Sequence, residues 1–150
     1  DGHRIELVIE RDGVSWVDDS KATNAHAASA SLNSFESVIW IVGGLLKGVD
    51  ISSLVSSVSS RIKAAVVIGL DRQPVLEALA QMAPNVPVIE IGDGEGVMAR
   101  AVAAASGVAS EGDTVLLAPA SASMDQFKDY ADRGSQFSEA VLKLNGAQDG

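Results

Sequence analysis

The run Val38-Ile39-Trp40-Ile41-Val42, closed by Gly43-Gly44, decides the fold. It carries no polar residue to turn toward water. A strand of that kind reads as one covered by helices on both sheet faces, as in a mostly parallel sheet. The two glycines that follow permit close approach of backbone to a ligand.

Working outward, the same signal recurs at Val14–Val17, Ala64–Ile68, Val86–Ile91 and Val115–Ala118. These runs are rich in valine and isoleucine and nearly uninterrupted, and helical segments separate them. Asn24 can cap a helix running to about Leu32. Ile51 to Val58 is a serine-rich segment with Asp50 or Ser52 as its cap. Gln73 to Met82 places Val75, Leu76, Leu79 and Met82 on one face, with Pro74 in the first turn. Gly96 to Ala105 is alanine-rich. Gln126 to Leu144 sets Phe127, Tyr130, Phe137, Val141 and Leu144 along one side. At the start, Ile5 to Glu10 alternates apolar and polar residues and Asp12-Gly13 offers a tight turn into Val14–Val17, so the chain opens with a hairpin. The expected architecture is α/β: a mostly parallel sheet of about six strands, an antiparallel strand at or near one edge, and flanking helices. One domain is expected over residues 1–144, with a frayed tail from 145 to 150.

Composition narrows the function classes. The 150 residues contain no cysteine, which excludes a disulfide framework, a zinc ribbon and a thiol nucleophile and fits a reducing compartment. The net charge of −9, with no lysine or arginine run, argues against nucleic acid and against anionic membrane surfaces as partners. No stretch approaches the roughly 20 apolar residues of a membrane span. Asp1-Gly2-His3-Arg4 is not a signal peptide, and the missing methionine suits a piece of a longer protein.

Open α/β sheets bind ligands beyond the carboxyl ends of their strands. Three loops there gather polar residues. Asp18-Asp19-Ser20-Lys21-Ala22-Thr23-Asn24 offers carboxylates, an ammonium and hydroxyls before a helix N-terminus, where backbone N–H groups favour an anion. Gly43-Gly44-Leu45-Leu46-Lys47-Gly48 adds a cation. Pro119-Ala120-Ser121-Ala122-Ser123-Met124-Asp125 adds hydroxyls. Together they suit a small carboxylate-bearing anion. The plainer readings are helix capping by Asp19, Thr23, Asn24, Ser123 or Asp125 and a solvated loop lysine at 47. Gly92-Asp93-Gly94-Glu95-Gly96 imitates a dinucleotide fingerprint, but Val97 holds the third glycine's place and two carboxylates would repel a pyrophosphate, so it reads as a turn. No Walker A loop occurs, and His3 and His26 are too isolated for a metal site.

The run Trp16 to Asn24 and the run Leu116 to Lys128, continuing to Asp132-Arg133-Gly134 and Phe137, resemble the C-terminal domain of the Mur ligase family. The D-S-K-A-T-N segment resembles the branch that adds D-glutamate to UDP-N-acetylmuramoyl-L-alanine. The Gly43-Gly44-x-x-Lys47-Gly48 loop and the His3-Arg4 pair fit the same pattern. The resemblance implies a Rossmann-like, amino-acid-binding domain of a cytoplasmic three-domain enzyme of peptidoglycan synthesis. In such enzymes an N-terminal domain binds the UDP-sugar and a central domain holds most of the ATP and Mg²⁺. The implied reaction phosphorylates a carboxylate with ATP and lets the amine of D-glutamate displace phosphate from the acyl phosphate. By that resemblance Lys21, Thr23, Lys47, Ser123, Met124 and Tyr130 hold D-glutamate, Met124 through its backbone N–H. Arg4 meets the ATP phosphates and Asp19 the ribose hydroxyls. No catalytic residue and no metal ligand is expected in this chain, and it is expected to be inactive alone. Tyr130 stands where the family often has Phe, and Leu45 and Leu46 where some relatives are polar. Two other readings stay open: a sibling ligase taking another amino acid, and a stand-alone, non-enzymatic module that binds a small anion. About 300 further upstream residues carrying a Walker A motif would favour the ligase fragment.

Overall fold

The computed structural model describes residues 2–146. The hairpin forms from β1 (Glu6–Arg11) and β2 (Val14–Asp18), turning at Asp12-Gly13, both left-handed. There follow α1 (Ala25–Leu32), β3 (Val38–Val42), α2 (Ser52–Val58), β4 (Ile62–Val67), α3 (Gln73–Met82), β5 (Val88–Glu90), α4 (Val97–Val108), β6 (Thr114–Leu117) and α5 (Tyr130–Leu144). A short 3₁₀ turn, Ser59–Arg61, leads into β4.

The sheet order is β1-β2-β6-β3-β4-β5, antiparallel only between β1 and β2. β6 therefore inserts between β2 and β3, and the last loop of the sheet emerges at its middle. The alternating sides of β3 enter two separate cores, as its apolar composition requires. Val38, Trp40 and Val42 face the layer of α1, α2 and α3; Ile39 and Ile41 face α4 and α5. Trp40 is fully buried and donates its indole N–H to the carbonyl of Ala118 at 2.7 Å, fastening β3 to the end of β6. Gly43 follows at φ 120°; a Cβ there would lie 2.1 Å from the Ile68 carbonyl oxygen, so only glycine lets β3 and β4 close up at this point.

Several boundaries differ from the pattern-based expectation. The apolar run Val86–Ile91 yields only the short edge strand β5, whose Val88 is exposed, because an edge strand lacks one neighbour. In α3 the buried face is Val75, Ala78 and Leu79, while Met82, in the last turn, is exposed. Helix α5 begins at Tyr130 and not at Gln126: the Asp129 carboxylate caps it by accepting the Asp132 backbone N–H at 2.7 Å. Phe127 is buried from the turn before the helix, and Leu144 is exposed. Helix α2 has Ile51 at its cap position, with Asp50 accepting both the backbone N–H and the hydroxyl of Ser52. Of the expected frayed tail, Asn145 closes α5 through bonds to the Val141 carbonyl; residues 147–150 lie outside the described residues. Among the described residues no helix is long and apolar enough to cross a membrane.

Candidate functional site

The three polar loops do meet at the carboxyl edge, and the β6 loop is their hub. Ala120 N–H donates to the Ala22 carbonyl in the β2 loop at 3.0 Å. Gly43 N–H donates to Pro119, and Leu45 and Ala122 exchange both backbone bonds across an isolated bridge. Farther along, the Asp125 carboxylate accepts the Leu70 N–H at 3.1 Å, and the Gln126 side chain accepts from Gly69 while donating to Asp93. Through these two residues one loop reaches the segments after β4 and β5 as well. Asp93, in the glycine-rich turn, thus takes a structural partner.

Backbone strain concentrates in the same place. Lys47 and Ala120 sit at φ 56° and 60°, in the left-handed region that non-glycine residues rarely occupy. The entry segment is strained too, with His3 at φ 68° and the β-branched Ile5 at φ 43°. Such outliers persist only where surrounding contacts hold them. For His3 the contacts are explicit: its ring Nδ1 lies 2.6 Å from the Asp18 carboxylate, and its carbonyl accepts the Lys21 N–H at 3.1 Å.

Of the residues expected to bind ligand, Thr23 and Lys47 border one cleft of about 210 Å³ with Asn24 and Ser121. Lys21 and Tyr130 are not among its lining residues; they stand with each other, the ammonium 5.7 Å from the ring centroid, with His3 edge-on to the same ring. Ser123 is buried, and its carbonyl accepts the N–H groups of Gln126 and Phe127. Met124 is 74% exposed, its side chain held by nothing in the core. A larger cleft of about 670 Å³ lies between the β3 loop and α3, and Lys47 borders that one too. Its rim carries Asp50, Asp71, Glu77 and Asp125. Four carboxylates against one ammonium disfavour a dicarboxylate there, so the smaller cleft is the better anion site despite its size.

Asp19 does not present itself to solvent. It is 4% exposed, and burial raises its pKa against the opposing pull of the Ser31 hydroxyl, the Ile5 backbone and the Arg4 charge. The charge of the exposed Arg4 acts on the Asp19 carboxylate.

Two residues of this edge escaped the reading of the sequence as site groups. Arg133, on α5, is fully buried; one guanidinium N–H₂ donates to the Ser121 carbonyl at 3.0 Å and the other to the Ser20 carbonyl at 2.7 Å. Gly134 follows it, packed so closely that a Cβ would fall 2.3 Å from His3 Nδ1 and 2.7 Å from Asp18 Oδ2. The available signal was position: Arg133 falls at helical spacing between Tyr130 and the buried Phe137, on the apolar stripe where an arginine needs a reason. Asp18, already read as a carboxylate of the β2 loop, packs against Gly134. It is fully buried at the end of β2, accepting the Ser20 N–H at 2.9 Å as well as facing His3. Glu6 completes a His3–Glu6–Asp18 cluster in which the Glu6 carboxylate accepts the His3 backbone N–H, so its groups are already engaged with one another.

Residues 3–121 match the family model described as Mur ligase, glutamate ligase domain. The chain is 54% identical to the UDP-N-acetylmuramoylalanine–D-glutamate ligase of Leifsonia xyli subsp. xyli, over all of this chain and 30% of that protein. It is likewise 54% identical to the ligase of that name from Thermobifida fusca, over 96% of this chain and 31% of the relative. With the ligase of that name from Mycobacterium avium the identity is 47%, over 93% of this chain and 34% of the relative. The chain therefore spans about a third of the length of these curated relatives. Among solved structures, a domain of a UDP-N-acetylmuramate:L-alanyl-gamma-D-glutamyl-medo-diaminopimelate ligase from Haemophilus ducreyi superposes with a TM-score of 0.60 at 15% identity, covering 94% of this chain and 99% of that one. The UDP-N-acetylmuramate-alanine ligase of Thermotoga maritima gives 0.57 at 11%, covering 95% of this chain and 30% of that one. At such identities the two structures speak for the fold, and it is the match over residues 3–121 that shows the chain to belong to the Mur ligase family, as its glutamate ligase domain.

Proposed function

We propose that this chain is the C-terminal domain of an ATP-dependent ligase that adds D-glutamate to UDP-N-acetylmuramoyl-L-alanine, and that it contributes the D-glutamate site without being able to turn over alone. The observation that carries the reading is the convergence of Thr23 and Lys47 on one cleft, with Lys21, whose carbonyl accepts the Thr23 N–H, set over the Tyr130 ring. Those residues come from separate segments and bring two ammonium groups and a hydroxyl to the edge of a chain whose net charge is −9. Local cations in an acidic protein fit a dianionic ligand.

In this reading Lys21 and Lys47 pair with the two carboxylates of D-glutamate. Thr23 and Ser123 supply hydroxyl donors, Met124 its backbone N–H, and Tyr130 backs the ligand. Little side-chain chemistry is needed. The amine displaces phosphate from an acyl phosphate made with ATP, so positioning and charge stabilisation dominate. Mg²⁺ and most contacts to ATP belong to a central domain, and the UDP-sugar to an N-terminal one. From this chain Arg4 reaches toward the phosphates. Asp19 can meet ribose hydroxyls only when the Ile5 segment yields its carboxylate, so nucleotide binding is coupled to movement of that strained entry. A cytoplasmic setting, where these substrates occur, follows from the same reading.

The test is a chimera in which this chain replaces the C-terminal third of the Leifsonia ligase. Phosphate release from ATP is followed with the UDP-sugar substrate and each candidate amino acid. Turnover that requires D-glutamate supports the proposal. A folded chimera that prefers another amino acid points to a sibling ligase, and one with no amino-acid-dependent turnover removes the assignment.

A further inference from the structure

We infer that Arg133 is a positioning residue for the amino-acid site: it sets the spacing of the β2 and β6 loops and places a buried positive charge beneath them. The inference rests on the D-glutamate reading for the identity of the ligand, but not for the geometry.

A guanidinium is a planar fork of five donors with no acceptor. Here the fork is spent on carbonyls of two different loops, Ser20 O and Ser121 O. The residue after Ser20 is Lys21, and Ser123 lies two beyond Ser121, so each held carbonyl adjoins a proposed ligand contact. The backbone also joins these loops through the Ala120 N–H, which donates to the Ala22 carbonyl. Ala120 needs such support, being left-handed at φ 60°.

A merely structural tie would not call for a charge. Burying an unpaired cation is costly, and carbonyl dipoles compensate it only in part. Among the described residues no carboxylate lies within ion-pair distance of Arg133, and its Nε has no partner. Asp125 and Asp18 act on it only through longer-range attraction. Burial lowers its pKa to about 10, which still leaves it charged at neutral pH. An incompletely neutralised buried cation raises the potential at the loops above it. There it offsets the carboxylates of Asp18 and Asp19 and favours an anionic ligand. Gly134 adds to the same arrangement, letting this turn of α5 come close enough to the β2 loop for the fork to reach.

The experiment compares wild type, Arg133→Lys and Arg133→Met in the full-length ligase carrying this chain. KM and kcat are measured for each substrate, alongside amide hydrogen exchange at Ala22 and Ala120. Arg133→Lys keeps charge but not the fork; Arg133→Met loses both. The amino-acid KM should rise about tenfold for Lys and about a hundredfold for Met, as for loss of one or two charge-assisted contacts, with the UDP-sugar KM nearly unchanged. Both amides should exchange faster in the variants. Simple destabilisation lowers the active fraction, so it lowers kcat and leaves every KM alone; that pattern would overturn the inference. If the Met variant does not fold, the Lys variant is read alone. If neither folds, wild type decides: rapid exchange at Ala22 and Ala120 would show that the loops are not held. Should the wild type prefer a different amino acid, the D-glutamate reading fails, and the Arg133 assignment is judged by the KM for that amino acid instead.

Discussion

Lys47 carries two kinds of information, its charge and its φ of 56°, and single substitutions separate them. Lys47→Gly relieves the strained backbone and Lys47→Ala does not, yet both remove the ammonium. If the charge holds a ligand carboxylate, both variants of the full-length ligase should raise the D-glutamate KM about ten- to hundredfold and leave the ATP KM nearly unchanged, since a charge-assisted hydrogen bond is worth about 1.5–3 kcal/mol. Steady-state kinetics with each substrate varied decides it, and an effect on ATP alone would move Lys47 to the phosphate side. Asp19 makes the opposite case, a charge held at a disadvantage. Its pKa is raised chiefly by burial. A carboxyl with a raised folded pKa contributes stability below its unfolded pKa and loses it as pH rises through the folded value. Asp19→Asn should therefore match wild type near about pH 4 and become the more stable of the two by about pH 7. Thermal midpoints of this chain at both pH values check the sign; a wild type that gains on the variant across that interval would show the burial argument to be wrong. Asp19 was legible in the sequence as a polar residue at a strand end. That it points inward was not, because direction there is set by the Ile5 turn and by Ser31 on a neighbouring helix.

At the scale of elements, apolar runs, caps, composition and periodicity together located each strand and α-helix but misplaced those ends that side chains determine. Helix α5 illustrates both. Phe127, Tyr130, Phe137 and Val141 lie close to one stripe, so pattern alone extends the helix back to Gln126. The Asp129 cap instead stops it there, and frees Asp125 and Gln126 to bind the loops after β4 and β5. A short edge strand was equally hidden, because Val86–Ile91 reads like a central strand until the sheet order puts it at the rim. The same helix supplies a test. Glycine inside a helix costs roughly 1 kcal/mol relative to alanine, so Gly134→Ala would stabilise an isolated α5. In the protein the new methyl would meet His3, Ser20 and Asp18 at 2.3, 2.4 and 2.7 Å. Overpacking of that kind costs typically about 1–3 kcal/mol, which outweighs the propensity gain. Gly134→Ala should thus lower the thermal midpoint by several degrees and displace the His3 ring from Asp18, visible as a shifted imidazole signal in NMR. An unchanged or higher midpoint with an unmoved His3 signal would mean that α5 tolerates closer approach than the His3–Asp18 contact indicates.

For the whole molecule, the sheet has a complete three-layer arrangement, yet its site is open on one side. Both faces of β3, β4 and β6 are buried by helices of this chain, so the cores do not depend on another domain. The loops at the carboxyl edge are tied to one another through the β6 loop, and the clefts between them face outward. The architecture was legible because it follows from runs of apolar residues. The convergence of the loops could be anticipated from strand ends, but the hub was not, since it depends on β6 lying between β2 and β3, and strand order is not a local property. Stability and activity should accordingly come apart. The 150-residue chain should melt in one cooperative transition without ligand, with matching midpoints by circular dichroism and tryptophan fluorescence. Trp40 in one core and Trp16 in the other, both buried, make that second probe a report on both cores. Under the same conditions it should release no phosphate from ATP with Mg²⁺, D-glutamate and the UDP-sugar substrate present, because it offers no Walker A loop to hold the nucleotide. Adding the separately produced N-terminal two-thirds of the ligase should restore D-glutamate-dependent release in proportion to complex formed. Turnover by the chain alone would show that the phosphate-binding function resides in these residues after all, and separate midpoints for the two probes would show that the chain does not unfold in one two-state transition.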